Sequence, residues 1–555
     1  MKDFIATTLS ILNRQEKVKM CTNIVLDFAV GLLDIAFLGV LLLVINFYTN
    51  NSSTHNSFLA QSLTNKNSLV VVGVFFMLFS LKNYLGYRVS KAQNSFFFGI
   101  ASRLAKRNIW HYLKDDYTRF INIDSSIFTR KISQQPIEFS NYILINIQQV
   151  ISQSILIFFT IIGILFYHPK SFLSLFLLLV PPVILLAFLI KKKLKQVRAS
   201  LKVSSQKTIQ HLQESLSGYV ESNIYNKNNF FVDRFYQYKQ QLDENIATQQ
   251  TLQILPSRLI EVFAVLGFFI LMAINKLWAN APAIDLLTIG IFMAAAYKVI
   301  PGIIKILNST GQMKTYQFTL DDLSLPVTRE SVTADKAPAS PIRSLKFEQV
   351  YFKYNDHTVL NGVSFQLAPG DFAGMSAASG KGKTTIINLL LGFLKPDCGG
   401  ICLNNKKADH EERQRYWSRI SYVKQQPFFI HDTILKNITL SDDEYDTAKL
   451  EEVLSFCGID ELLGNYPEGL EKIIKENGKN ISGGQRQRIM LARALYHDFD
   501  LLILDEPFGE LDERSEKQIL VKLAALANEG KMILFITHKK TSLSFCNKIL
   551  SLDGE

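Results

Sequence analysis

"FAGMSAASGKGKTTIINLLLGF", residues 372–393, runs from a short apolar strand pattern through a small-residue turn into a helix-favouring segment. A phosphate cradle needs successive backbone N–H groups turned inward, a helix N-terminus behind them, a lysine for the outer phosphates and a hydroxyl for a divalent cation. Gly382, Lys383 and Thr384 close such a pattern, with Ser379, Gly380 and Lys381 before them and Thr385 after. Lys381 is not the phosphate lysine, because Gly382 follows it where the hydroxyl belongs. Five residues before Gly382 the pattern asks for glycine and finds Ala377, so the loop alone is an incomplete match.

Further along the chain stand the partners that such a loop requires. "LLILDEP" is an apolar strand pattern ending in Asp505 and Glu506. One carboxylate at that edge suits magnesium, held through water, and the other suits polarising an attacking water. About twenty residues earlier "ISGGQRQR" places Ser482, Gly483 and Gly484 at a helix start, a second anion-binding device. His538 follows the strand pattern "MILFIT", within reach of a terminal phosphate. Ordinary turn or strand-end chemistry explains any one of these features; the ordered set points to nucleotide hydrolysis.

Upstream of this α/β segment the sequence changes character. The chain has 555 residues, too many for one ordinary core, and to about residue 310 it repeats long apolar runs. Six membrane spans are predicted, at about 22–47, 68–88, 141–167, 171–190, 257–275 and 284–307. Fifty to sixty polar, helix-favouring residues follow the second and fourth spans, which predicts helices continuing well into the cytosol. The outward connections are short and nearly uncharged, so both termini are expected inside. "LPVTRESVTADKAPASP" reads as a linker, giving a transmembrane domain over 1–320, a linker over 321–341 and a soluble domain over 342–555.

The formal net charge is +11, but the basic residues cluster between the apolar runs, as in 88–131 and in "KKKLK" from Lys191. That distribution fits the positive-inside bias, and no aromatic-interleaved basic module calls for nucleic acid. Five scattered cysteines argue against a disulfide framework, and Cys398 with Cys402 lacks a second ligand pair for zinc. The first apolar run has no small-residue cleavage pattern after it and is expected to remain as an anchor. Asp27 and Asp34, seven residues apart, share one face of the first span; they either line a polar path or play a structural part, sitting near the cytoplasmic interface or bonding neighbouring helices, and the structural reading is the plainer. Arg258 with Glu261, and Lys298 beside Pro301, pose the same choice, and Pro301 is expected to kink the last span.

Taken together, these motifs resemble an ABC transporter half of the exporter type, with six membrane helices ahead of one nucleotide-binding domain. The resemblance implies a membrane α-helical bundle with long cytosolic extensions plus an α/β P-loop ATPase domain carrying a helical subdomain. It implies ATP and Mg2+ as ligands, Tyr354 stacking on adenine, and Gln425 sensing magnesium and the membrane domain. Ser482, Gly483, Gly484 and Gln485 match the signature, Asp505 the magnesium aspartate, Glu506 the general base and His538 the switch histidine. "GELD", ending at Asp512, matches the loop between two sites, and Glu476 an exporter-specific contact to coupling helices. Those coupling helices are expected near Asp124–Thr129 and Asn223–Asn229. Ala377 replaces the first loop glycine, and Ile481 stands where leucine is usual, a volume-conserving change. With Glu506 and His538 both present, a homodimer with two working sites is expected, in a bacterial inner membrane. The last two spans resemble those of lipid-linked oligosaccharide flippases, which makes a lipid or lipid-linked glycan the expected substrate. A peptide or drug exporter is the alternative, and an ATP-driven regulator that moves no solute is the reading from another class.

Overall fold

Two compact units make up the chain: Met1–Asp115 with Asn122–Arg329, and Asp116–Ile121 with Glu330–Glu555. The computed structural model describes residues 2–49, 70–114, 117, 124–167, 188, 196–277, 286–323, 340–355, 357–376, 381–442, 444–464 and 466–551.

The first unit is helical. Its main elements are α1 (Lys2–Ile11), α2 (Arg14–Thr49), α3 (Val70–Lys114), α4 (Ser125–Thr129), α5 (Gln135–Phe139) and α6 (Ile145–Tyr167). They are followed by α7 (196–217), α8 (Tyr219–Ile224), α9 (Asn228–Leu277), α10 (Leu286–Thr315) and α11 (Phe318–Leu323). Crossing hydrocarbon takes about 20 helical residues, yet α3 has 45 and α9 has 50. Both therefore run far beyond a bilayer, as the polar, helix-favouring stretches predict. Among the described residues, Arg14–Leu41 and Ser125–Ile162 are long and apolar enough to cross a membrane by themselves. The described residues of five of the six expected spans lie in α2, α3, α6 with the helical turn just before it, α9 and α10; the fourth, 171–190, lies outside the described residues apart from position 188. Helix α10 continues through Pro301, and the side chains of Glu261 and Lys298 lie outside the described set.

Polar side chains knit these helices together. The Asp27 carboxylate accepts from Gln93 Nε2 on α3 at 2.8 Å, and from Gln148 Nε2 at 2.5 Å and Ser152 Oγ at 3.2 Å on α6. Asp34 pairs with Lys82 of α3. Both aspartates thus bond neighbouring helices, one form of the plainer, structural reading, and a carboxylate so held is spared the cost of facing hydrocarbon alone. Lower in the bundle Asn146 donates to Gln312 at 2.8 Å, tying α6 to α10.

Short helices stand at or beside both stretches where coupling elements are expected. Ser125–Thr129 is a short helix following Asp124, but it belongs to the first unit. Tyr117 is the described residue from this region that falls in the second unit, where its ring stacks on Phe393 with centroids 4.6 Å apart. In the other region the helix is Tyr219–Ile224, a few residues early, and 225–227 form the turn into α9 with Asn226 at φ +51°.

In the second unit, one sheet has the order β2-β1-β4-β5 and a second has β11-β3-β10-β9-β6. The first sheet comprises β1 (Leu345–Tyr354), β2 (His357–Leu367), β4 (Cys398–Leu403) and β5 (Lys406–Lys407), paired antiparallel. The second comprises β3 (Phe372–Ser376), β6 (Ile420–Val423), β9 (Leu501–Asp505), β10 (Met532–Ile536) and β11 (Lys548–Ser551), all parallel. Strands β9 and β10 are buried at every position, which explains why "LLILD" and "MILFI" read as unbroken apolar runs rather than alternations. Helix α12 (Lys383–Leu390) presses Ile386, Ile387, Leu389 and Leu390 into one core. Between β6 and β9 lie α14 (Ile434–Thr439), α15 (Thr447–Cys457) and α17 (Gly483–Tyr496), packed around Ile438, Leu454 and Ile489. The short α13 (His410–Gln414) precedes β6, while the short helix α16 (Asp460–Leu463) completes the segment. This is the expected helical subdomain. Ile481 is buried in its core, where leucine volume is accommodated as isoleucine.

Candidate nucleotide site

Parallel strands bring their carboxyl ends to one edge, and that edge collects the predicted chemistry. Ile536 of β10 is in register with Met375 of β3 on one side and with Asp505 of β9 on the other. The chain leaving β3 reaches Lys383 at the start of α12; the chain leaving β10 reaches His538; the chain leaving β6 reaches Gln425. Glu506, the residue after β9, stands among them.

Gly382 makes the turn into α12 possible. Its φ is +88°, and a Cβ there would lie 2.7 Å from Leu360 Cδ2 and 3.0 Å from Val359 Cγ1. Left-handed backbone without steric room selects glycine. Lys383 follows as the first helical residue and Thr384 as the second, the latter exposed at the helix N-terminus while Thr385 is buried. The register chosen from sequence therefore coincides with the helix start. Ala377, Ser379 and Gly380 lie outside the described residues.

Three groups converge on the Glu506 carboxylate. Lys383 Nζ donates to Oε1 at 2.6 Å, Gln425 Nε2 donates to Oε2 at 2.9 Å, and His538 Nδ1 lies 3.8 Å from Oε2. Glu506 itself has φ +50°, and its backbone N–H donates to the Ile536 carbonyl at 3.0 Å. A non-glycine residue in that region is held at an energetic cost by its surroundings, which is common where a side chain must be aimed. Beside it Asp505 is only 5% exposed. Burial first, and the Glu506 charge second, push the Asp505 carboxyl above its ordinary range, against the pull of Lys383 and a hydrogen bond with Tyr422. Tyr422 on β6 was not singled out from sequence, although it lies three residues before Gln425.

The remaining predicted residues occupy two separate places. Tyr354 ends β1, is 44% exposed and meets Phe352 edge to face at 4.9 Å, which leaves a ring face available for stacking. Ser482 caps α17: its hydroxyl accepts from the Gln485 N–H at 3.4 Å, and Gln485 Oε1 accepts from the Ser482 N–H at 2.9 Å. This reciprocal capping box fixes the helix start and leaves Gly483 and Gly484 in its first turn. Glu510, from the "GELD" loop, lies against Gly483, a contact that sequence reasoning missed. Glu476 sits in a short turn, with its side chain outside the described set.

Magnesium favours oxygen ligands and typically binds one or two carboxylates together with substrate phosphates. Asp505 at the end of β9 and Thr384 in the first turn of α12 are oxygen-bearing residues of that kind. No group of three or more His, Cys, Asp or Glu among the described residues is arranged to hold a metal by itself.

Two family models match the chain: "ABC transporter" over residues 360–509 and "ABC transporter transmembrane region" over 20–275. The chain belongs to the ABC transporters, as a half-transporter with its transmembrane region fused ahead of the nucleotide-binding domain. It is 33% identical over 255 residues to a protein of Cupriavidus pinatubonensis named ATP-dependent lipid A-core flippase, covering 42% of this chain and 43% of that protein. A protein of the same name from Burkholderia orbicola is 26% identical over 457 residues, covering 79% of this chain and 75% of its own length. In fold the chain is similar to a solved bacterial Atm1-family ABC exporter with ATP bound, at TM-score 0.76 and 20% identity, covering 97% of this chain and 93% of that one.

Proposed function

We propose that this protein is an ATP-driven exporter or flippase that couples ATP hydrolysis to outward movement of an amphipathic substrate, a lipid or lipid-linked glycan. The observation that carries it is the convergence of Lys383, Gln425 and His538 on Glu506 at the carboxyl edge of the parallel sheet. In this reading Lys383 binds the outer phosphates, Glu506 takes the proton of the attacking water and His538 supports the terminal phosphate. Gln425 orients the water and reports on magnesium. Ser379, Gly380, Lys381 and Gly382 offer backbone N–H groups, Thr385 completes the first turn and Tyr354 stacks on adenine. Thr384, Asp505 and Gln425 would hold Mg2+, which neutralises charge on the outer phosphates.

Ser482, Gly483, Gly484 and Gln485 serve the nucleotide held by a second copy of the chain, so the working unit is a homodimer. The functional division is 1–320 as the transmembrane domain with its cytosolic extensions, 321–341 as linker and 342–555 as the ATPase, in a bacterial inner membrane with both termini cytoplasmic. The names of the flippase relatives support a lipid substrate. The test is purified protein in sealed vesicles with ATP supplied outside. Movement of a lipid-linked sugar, with ATPase stimulated by it and not by peptides, is the expected result. Vigorous hydrolysis with no movement of any candidate overturns the transport reading.

A further inference from the structure

The N-terminus of α17 already carries an anion from its own chain. Glu510 Oε2 lies 1.5 Å from where a Gly483 Cβ would stand, with its Cδ at 2.5 Å and its Cβ at 2.9 Å, so the carboxylate rests in the space that the missing side chain opens. The same Oε2 accepts from Arg486 Nη2 at 2.9 Å. The Glu510 backbone N–H donates to Gln487 Oε1 at 3.0 Å, and a Cβ on Gly484 would face the Glu510 carbonyl oxygen at 3.3 Å. Four residues in the first turns of one helix therefore hold a single acidic residue from the following loop. Helix N-termini and arginine recognise carboxylate and phosphate by the same means, N–H donors and positive potential.

We propose that Glu510 is an internal competitor for the signature anion site, sitting over Gly483 until the terminal phosphate of ATP on the second copy displaces it. The idea rests on the homodimer reading above. A terminal phosphate brings more negative charge and three oxygens to the helix, so it wins once the two copies approach. ADP ends one phosphate short and does not. Glu510 thereby sets how much ATP is needed for the two copies to close, and widens the discrimination against ADP. The carboxylate is half exposed, so the effect is modest: an exposed charge pair together with a helix-terminus interaction is worth about three- to tenfold in an equilibrium.

The test uses the full chain in detergent or lipid discs. Glu510→Gln keeps the side-chain shape and removes the charge, and Glu510→Ala removes the group in case the amide still occupies the site. ATPase rate is measured against ATP concentration, with ADP as competitor, and melting temperature checks that each variant is folded. KM for ATP falling about three- to tenfold in Glu510→Gln, with ADP inhibiting more strongly than in wild type, is the expected outcome. An unchanged or raised KM in both folded variants overturns the proposal. Glu506→Gln is run alongside: if it still hydrolyses ATP, the site assignment fails, whereas if it is inactive and only the Glu510 variants behave like wild type, the competitor idea alone fails.

Discussion

Replacing Glu506 by glutamine perturbs two properties in opposite directions. Lys383 Nζ lies 2.6 Å from Glu506 Oε1, and the two side chains are 12% and 19% exposed, so the pair is mostly withdrawn from water. A hydrogen bond to a charged group in that setting contributes about 1.5–3 kcal/mol. An incoming terminal phosphate competes for the same ammonium and must displace the carboxylate. In Glu506→Gln the amide oxygen keeps roughly half of that bond, so about 1 kcal/mol of the competition disappears and ATP binds about fivefold tighter. Turnover falls about 10²- to 10⁴-fold, the range for losing a positioned general base. Equilibrium ATP binding and phosphate release, both on the full chain in detergent, measure the two effects. Near-normal hydrolysis refutes Glu506 as the base. Weaker ATP binding than wild type refutes the competition between carboxylate and phosphate.

The loop register is checked by comparing Lys383→Ala, expected to lose ATP binding, with Lys381→Ala, expected to retain it; equal losses count against the register. Gly382→Ala forces a left-handed backbone onto a residue with a Cβ, costing about 1–2 kcal/mol. The expected result is a drop of about 2–8 °C in the melting of the nucleotide-binding unit, along with weaker ATP binding, and an unchanged melt argues against the strained turn. Asp505 has a carboxyl pushed upward by burial and by Glu506, so the fold is more stable when that group is protonated. That contribution is fully present below the ordinary Asp pKa and lost as pH rises through the raised value. Asp505→Asn should therefore melt higher than wild type near pH 7.5, with the gap closing toward pH 4; a variant that melts lower at neutral pH contradicts the sign.

The second unit was legible because its motifs are tied to strand ends. "LLILDEP" and "MILFIT" could be placed as buried parallel strands from unbroken apolar runs, and register then brought Asp505, Glu506 and His538 together. The lysine choice followed from one residue, the glycine after Lys381, and the helix start at Lys383 agrees with it. Less visible were contacts made between distant segments. Nothing local in "GELD" announces that Glu510 lies over Gly483, nor does "DDYTRF" announce that Tyr117 finds Phe393. The pairing of Asp27 with amides from two other helices was foreseen only as a kind of contact, since helix periodicity gives a face and not its partners.

The Asp27 and Asp34 bonds bear on how the chain is made. Helix α2 leaves the ribosome before α3 and α6, with two carboxylates on one side, each costing about 2.5–3.5 kcal/mol at the centre of a lone spanning helix. Lys82 and Gln93 arrive with α3, and Gln148 and Ser152 only with α6. Insertion is therefore a cooperative event: α2 gains a stable place in the lipid when α3 comes beside it, and Asp27 is fully satisfied only after α6 has been synthesised. Truncation before α6 should leave α2 prone to recognition by membrane quality control, giving a biogenesis defect from residues remote from the ATPase.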